Sequence, residues 1–485
     1  MILPLTLTAG CEASRPHDYS WQTYPPSKLQ TSARQVGSIT TPARLSQPVC
    51  LDAPLQQVAF KNGLAVGASQ PLGGADEPFA GSQELSIDGL IEQVLARNPS
   101  IAQMTAAWQA ATARYPQVTS LEDPSFDVAL APSSFGSNNV EAGYRIGISQ
   151  KYPLGGKRGL RGQVAVAEAS AAGNELEDTR LQLLESARNG YYELYQVYRA
   201  RAVSEENLKL HQEARKSAEA RIANGKGHQQ EVLQIDVEIG RQGERLLTLE
   251  RMRQVAVARL NTLMHRPPDS PLPPPPAALV VPSDLPPVET LRGRALESRP
   301  DLRAMADRIA GDEKSLELAR REFYPELMVG AAYDTIMGNG PARDLAPQVS
   351  VGVNVPLRGD KRRGAIAEAE ARLVQRRAEY ARLADQVAFQ VQEAYVQVVE
   401  SKKVVRHYEK VIVPAAENNV KAARNAYAPG QIPLSSYLEA QRDLVNLRDR
   451  YYQAQSEYFQ RRAALDRAVG ERPVPPSGAA AQDKR

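Results

Sequence analysis

The chain has 485 residues, 59 basic against 56 acidic, and a net charge of +3, with 6% aromatic side chains. That balance gives no strong pull toward nucleic acid, and its interleaved charges read as solvated helix faces. Two cysteines exclude a disulfide framework. No run of 18 apolar residues offers a spanning helix, so any entry into a membrane would have to be through a β-barrel.

In chain order, Cys11 closes LTAGC after the apolar residues 2–7. Small residues precede the acylated cysteine of a bacterial lipoprotein signal in this way, so residues 1–11 are read as a signal remnant and Cys11 as a lipidation site. Residues 12–85, rich in Ser, Pro, Gly and Gln without a sustained period, form an extended N-terminal segment. Ser86 opens a helix with Ile87, Leu90, Ile91, Val94 and Leu95 on one face. Pro99 interrupts it, and a second helix is expected to run to about Arg114.

A β-hairpin follows over 124–152. Phe126, Val128 and Leu130 alternate with Asp127, Ala129 and Ala131, and Tyr144, Ile146 and Ile148 alternate with Arg145, Gly147 and Ser149. Pro153 suits the strand exit, two glycines turn the chain, and Lys157 opens a long α-hairpin over 157–264. Leu184, Ala187, Tyr191, Leu194 and Tyr198 make its coiled-coil seam, and Gly225 and Gly227 break it. Residues 267–287 are a proline-rich linker.

The programme then repeats. The second half carries short helices, a hairpin over 325–356 and a long α-hairpin over 360–469. Val391, Val398, Val405 and Ile412 recur every seven residues, Pro414 is expected to kink the helix, and Gly430 marks the reversal. Pro99 and Pro300 are 201 residues apart, Pro153 and Pro356 203, Gly225 and Gly430 205. Such drift marks an internal duplication, with repeat 1 over 86–266, repeat 2 over 288–470, and a disordered tail over 471–485.

Four strands cannot close a membrane barrel, and an open sheet cannot sit in lipid with bare edges. If these strands lie in a membrane, several copies must share one barrel, which the α-hairpins would continue on one side. The alternative is a non-pore periplasmic coiled-coil scaffold, which has no need of four strands at matched points of a repeat. His17, His211, His228, His265 and His407 have no ligand spacing, so no metal site is expected. GGKRG lacks the Ser or Thr of a phosphate loop. Nothing points to an enzyme or a cofactor.

The motifs LARNP and LESRP, YPLGGKR and VPLRGDKR, and YAPGQIPLSSYLEAQ resemble the TolC family of outer-membrane efflux channels across residues 86–470. The strand exits look closest to its heavy-metal, CzcC-like branch. The resemblance implies an α+β membrane protein: a homotrimer whose four strands per chain build one 12-stranded β-barrel, above a helical coiled-coil barrel in the periplasm. It implies a passive duct for substrates, heavy-metal cations above all, docked on a periplasmic adaptor and an inner-membrane pump of the resistance-nodulation-division type. Export of drugs or other small molecules through the same channel stays open. By analogy with the family's acidic tip, the periplasmic aperture falls on Ser436 and Glu439, and Ser436 departs from the acidic pattern. Glu439 fits either a negative constriction or a solvated helix residue. Gly225, Gly227 and Gly430 fall at the adaptor-docking tips, although Gly430 equally fits a helix cap needing positive φ. Glu231, the first repeat's counterpart, is expected to be an interface or surface charge.

Overall fold

The computed structural model describes residues 79, 81–131, 143–223, 227–281, 285–334 and 346–470. All belong to the second of two compact units, Ser69–Arg485; Met1–Ala68, and with it Cys11, lies outside the described residues. So do Gly225 and the tail 471–485.

The first half runs α1 (Ile87–Arg97), α2 (Pro99–Thr119), β1 (Ser125–Ala131), β2 (Gly143–Pro153), α3 (Lys157–Ala223) and α4 (Gln229–Leu263). The second runs α5 (Val288–Ser298), α6 (Pro300–Arg321), β3 (Glu326–Asp334), β4 (Ala346–Asn354), α7 (Gly359–His407), a π turn (Tyr408–Ile412), α8 (Val413–Tyr427) and α9 (Leu434–Val469). At 67 residues, α3 is about 100 Å long at the usual 1.5 Å rise.

Each half has its own core. In the first, Leu183, Ala187, Tyr191 and Leu194 of α3 pack on Leu260 of α4 and on Leu90 and Val94 of α1. In the second, Val387, Val391 and Val398 of α7 pack on Leu465 of α9 and on Leu291 and Ala295 of α5. Leu183, Ala187 and Leu194 stand 204 residues before Val387, Val391 and Val398, so the duplication extends to the packing. A third core joins the halves at their far ends, with Ala218, Val232 and Ile235 against Leu434, Tyr437 and Leu438.

Three local features add to the sequence reading. Helix α2 continues past Arg114, through Pro116, to Thr119. Pro116 forfeits one amide donor, but Ser120 N–H still closes the last turn on the Pro116 carbonyl at 3.0 Å. The proline-rich linker is not a free spacer. Leu85 N–H bonds the Pro274 carbonyl at 2.8 Å, Asn261 Nδ2 bonds the Pro268 and Ser270 carbonyls at 3.1 and 2.7 Å, and Leu272 packs on the first core. The disturbance at Pro414 takes the form of the π turn just before it. Val413 N–H reaches five residues back to the Tyr408 carbonyl, the widened register a helix adopts where a proline supplies no donor.

The strands form one antiparallel sheet in the order β1-β2-β3-β4. Ile148 stands opposite Phe126 on one side and Ala331 on the other, so the two hairpins join through β2 and β3.

Candidate functional site: strand wall and helical tips

Strand alternation sorts the sheet into two faces. One carries Phe126, Val128, Ile146, Ile148, Val349, Val351 and Val353 in cross-strand rows, all uncovered, with Phe126 76% and Val351 67% exposed. That is a continuous apolar surface far beyond what a water-facing sheet carries. The opposite face is polar and small. Ser125 Oγ and Ser149 Oγ lie 2.8 Å apart, Arg145 faces Asp127 at 3.7 Å, and Lys151 pairs with Glu326 at 2.8 Å. Gly147 makes room there: a Cβ at that position would fall 2.6 Å from Asp127 Oδ1. The strands thus form a wall with an oily outside and a wet inside, and β1 and β4 are its outer strands.

Where wall meets helix, Gly155 and Gly156 take φ of +75° and +73°, a region disfavoured for residues with a Cβ, and drive the turn from β2 into α3. Lys157 is buried there, 1% exposed, donating to the Tyr324 carbonyl at 3.1 Å and Glu326 Oε1 at 3.2 Å. Arg158 caps the end of α2 through the Thr119 carbonyl, and Arg362 does the same at the end of α6 through the Glu322 carbonyl. Charged donors satisfy helix-end carbonyls that lack intrahelical partners.

At the other end lie the helical tips. Helix α8 closes with Gly430 at φ +85°, Gln431 N–H on the Ala426 carbonyl and Gly430 N–H on the Tyr427 carbonyl, both at 2.9 Å. This is a Schellman-type cap, which explains the glycine by backbone geometry alone. Gly227 is demanded by proximity, since a Cβ there would meet Ile222 N at 3.0 Å. Ser436 and Glu439 are both exposed on α9. With Asp443 one turn beyond, they line a shallow groove between α8 and α9, bordered by Asn419 and Ala426. The sequence reading missed Asp443; its spacing of four from Glu439 was the available signal.

Glu231 is more than a surface charge. It accepts from Tyr427 Oη at 2.9 Å, tying the first tip to the second, and Arg221 approaches it at 3.7 Å. Arg221 also lies over the Tyr427 ring, 5.0 Å from its centroid, and Tyr427 stacks on Tyr437 at 5.7 Å. Burial, and then the Glu231 carboxylate, push the Tyr427 hydroxyl up to about 12, so it remains a donor at any physiological pH. Further along the same bundle His211 is fully buried beside Asn207, 3.1 Å away. Among the described residues no group of three or more His, Cys, Asp or Glu is placed to hold a metal ion, and no helix is long and apolar enough to cross a membrane.

A two-faced strand wall carrying paired long helical hairpins defines a channel subunit. A family model described as outer membrane efflux protein matches residues 90–265 and 291–471, and the chain belongs to that family. The solved structures agree on the fold. VceC from Vibrio cholerae is 21% identical, with 79% of this chain and 96% of that one covered at a TM-score of 0.66. CusC is 15% identical, with 80% and 92% covered at 0.68. The open-state MtrE channel of Neisseria gonorrhoeae is 18% identical, with 79% and 89% covered at 0.64. No curated protein matches the sequence. Channels of this family are trimeric pores of the outer membrane, not enzymes; their helical tunnel lies in the periplasm, and they work with an adaptor and an inner-membrane pump.

Proposed function

We propose that this chain is the exit duct of a heavy-metal efflux system, carrying cations delivered by a resistance-nodulation-division pump through a periplasmic adaptor. The strand exits YPLGGKR and VPLRGDKR support the heavy-metal branch. The observation that carries the cation preference is the shared face of Ser436, Glu439 and Asp443 on α9 at the tip. Three copies around a threefold axis would put six carboxylates near the tunnel end, a field that favours cations over anions. The loss of an acid at Ser436 is then offset by Asp443 one turn further along. In this reading the adaptor docks on the tips around Gly225, Gly227 and Gly430, and acylated Cys11 anchors the segment 12–85, which leads into repeats over 86–266 and 288–470.

In planar bilayers the wild-type channel is expected to pass cations in preference to anions. Glu439→Ala is expected to lower that preference, and Glu439→Ala with Asp443→Asn to bring the permeability ratio close to unity. A ratio unchanged in the double variant removes both carboxylates from selectivity.

A further inference from the structure

Inside the chain, β2 of the first half already meets β3 of the second. That seam is a template for the one the outer strands must make. The duplication offset is 203 residues in three separate places. It relates Pro153 to Pro356. It relates the Thr119 carbonyl, held by Arg158, to the Glu322 carbonyl, held by Arg362. It also carries one hairpin onto the other, because Phe126 opposite Ile148 becomes Val329 opposite Val351, a pair that the second hairpin contains. One extra residue in the second turn makes Lys361 the counterpart of Lys157, as Arg362 is of Arg158.

Carrying the β2–β3 register forward by the same offset pairs β4 with the β1 of another copy. Ile148 opposite Ala331 becomes Val351 opposite Val128, Ile146 opposite Tyr333 becomes Val349 opposite Leu130, and Gln150 opposite Val329 becomes Val353 opposite Phe126. Every one of these pairs joins apolar to apolar on the uncovered face. On the wet face the register sets Gly352 against Asp127, so Asp127 has a glycine on both flanks, as it already has Gly147 within the chain. At the junction with the helices, Lys157 on Glu326 becomes Lys361 on Asp123. Lys361 and Asp123 are both exposed, and their charges are complementary. A slip of one residue would turn every apolar side chain inward. A slip of two would keep the faces but lose both Gly352 opposite Asp127 and the Lys361–Asp123 contact.

We propose that, in the barrel seam where β4 of one copy meets β1 of the next, Val351 stands opposite Val128 and Lys361 locks onto Asp123 of that next copy. The proposal rests on the shared barrel and adds its register.

The test uses full-length protein in outer membranes, in a Cys50→Ser background. Val351→Cys with Val128→Cys is expected to give a covalent trimer without reductant, since directly opposed residues lie within disulfide reach. Val353→Cys with Val128→Cys, diagonal in this register, is expected to crosslink weakly. Stronger crosslinking of that second pair, or none from either pair in a trimer confirmed by native mass, overturns the register. Absence of a trimer would instead remove the shared barrel itself. Independently, Lys361→Glu and Asp123→Lys are each expected to speed heat dissociation of the trimer about tenfold, and the combined swap to restore most of it. A combined variant no slower to dissociate than the singles overturns the lock.

Discussion

Tyr427 and Glu231 show how much a single hydrogen bond can decide. The bond spans 196 residues and is a direct tie between the two tips in one chain. Tyr427→Phe removes the donor and keeps the ring stack, for a loss of about 1–2 kcal/mol, since bonds to charged acceptors outrank neutral ones and this site is only half buried. The resting single-channel conductance is expected to rise; an unchanged conductance would mean that the tie does not hold the tip. His211 acts through pH. Burial lowers its pKa, with Glu238 opposing and Arg442 reinforcing that shift. The unfolded chain therefore takes the proton more readily, so stability falls as pH drops through the ordinary imidazole range near ~6.5 and levels off below the lowered folded pKa. The thermal midpoint of wild type is expected to drop between pH 7.5 and 5.5 by more than that of His211→Gln. Equal slopes would assign the pH dependence to other groups.

Among the elements, the long helices and strands were legible because each is marked by local chemistry. Alternation marked the wall, heptad spacing marked α3 and α7, and prolines and glycines marked the ends. Apart from Asp443, four residues from Glu439, what escaped was set by contacts distant in sequence. Nothing near Lys157 says that its amine is buried against Tyr324 and Glu326, and nothing near Glu231 announces Tyr427. The linker's proline run looks the same whether it floats or is held, and it is the distant Leu85, the side chain of Asn261 and the packing of Leu272 on the first core that hold it. Pro414 was legible as a disturbance but not as a π turn, since a proline fixes which donor is missing and the packing around it fixes how the helix recovers. Pro414→Ala restores the donor. It is expected to convert Tyr408–Ile412 to an α-helical register and raise stability, seen as a higher thermal midpoint, by less than the roughly 3 kcal/mol that an unaccommodated proline costs. A lowered midpoint would show that the π turn is itself needed for packing.

For the whole molecule, the two uncovered strand edges and the apolar face make the isolated chain incomplete. Light scattering in detergent, with the detergent subtracted, is expected to return three chains per particle, and the mature chain to carry the mass of acyl groups at Cys11. A monomer soluble without detergent would return the protein to the scaffold reading, and a mature mass without a lipid increment would leave Cys11 unmodified.

The asymmetry of those two edges has a genetic consequence. Each copy offers one β1 and accepts on one β4, so a chain damaged at either edge still enters the ring through its sound side and spoils the seam on the other. If a damaged and an intact allele are expressed equally and mix at random, only about one trimer in eight is wholly intact, because a closed ring of three samples the pool three times. Lesions along β1 or β4 should therefore behave as dominant alleles. Damage to the helix faces buried within one chain should be recessive, because a copy that cannot fold never reaches the ring.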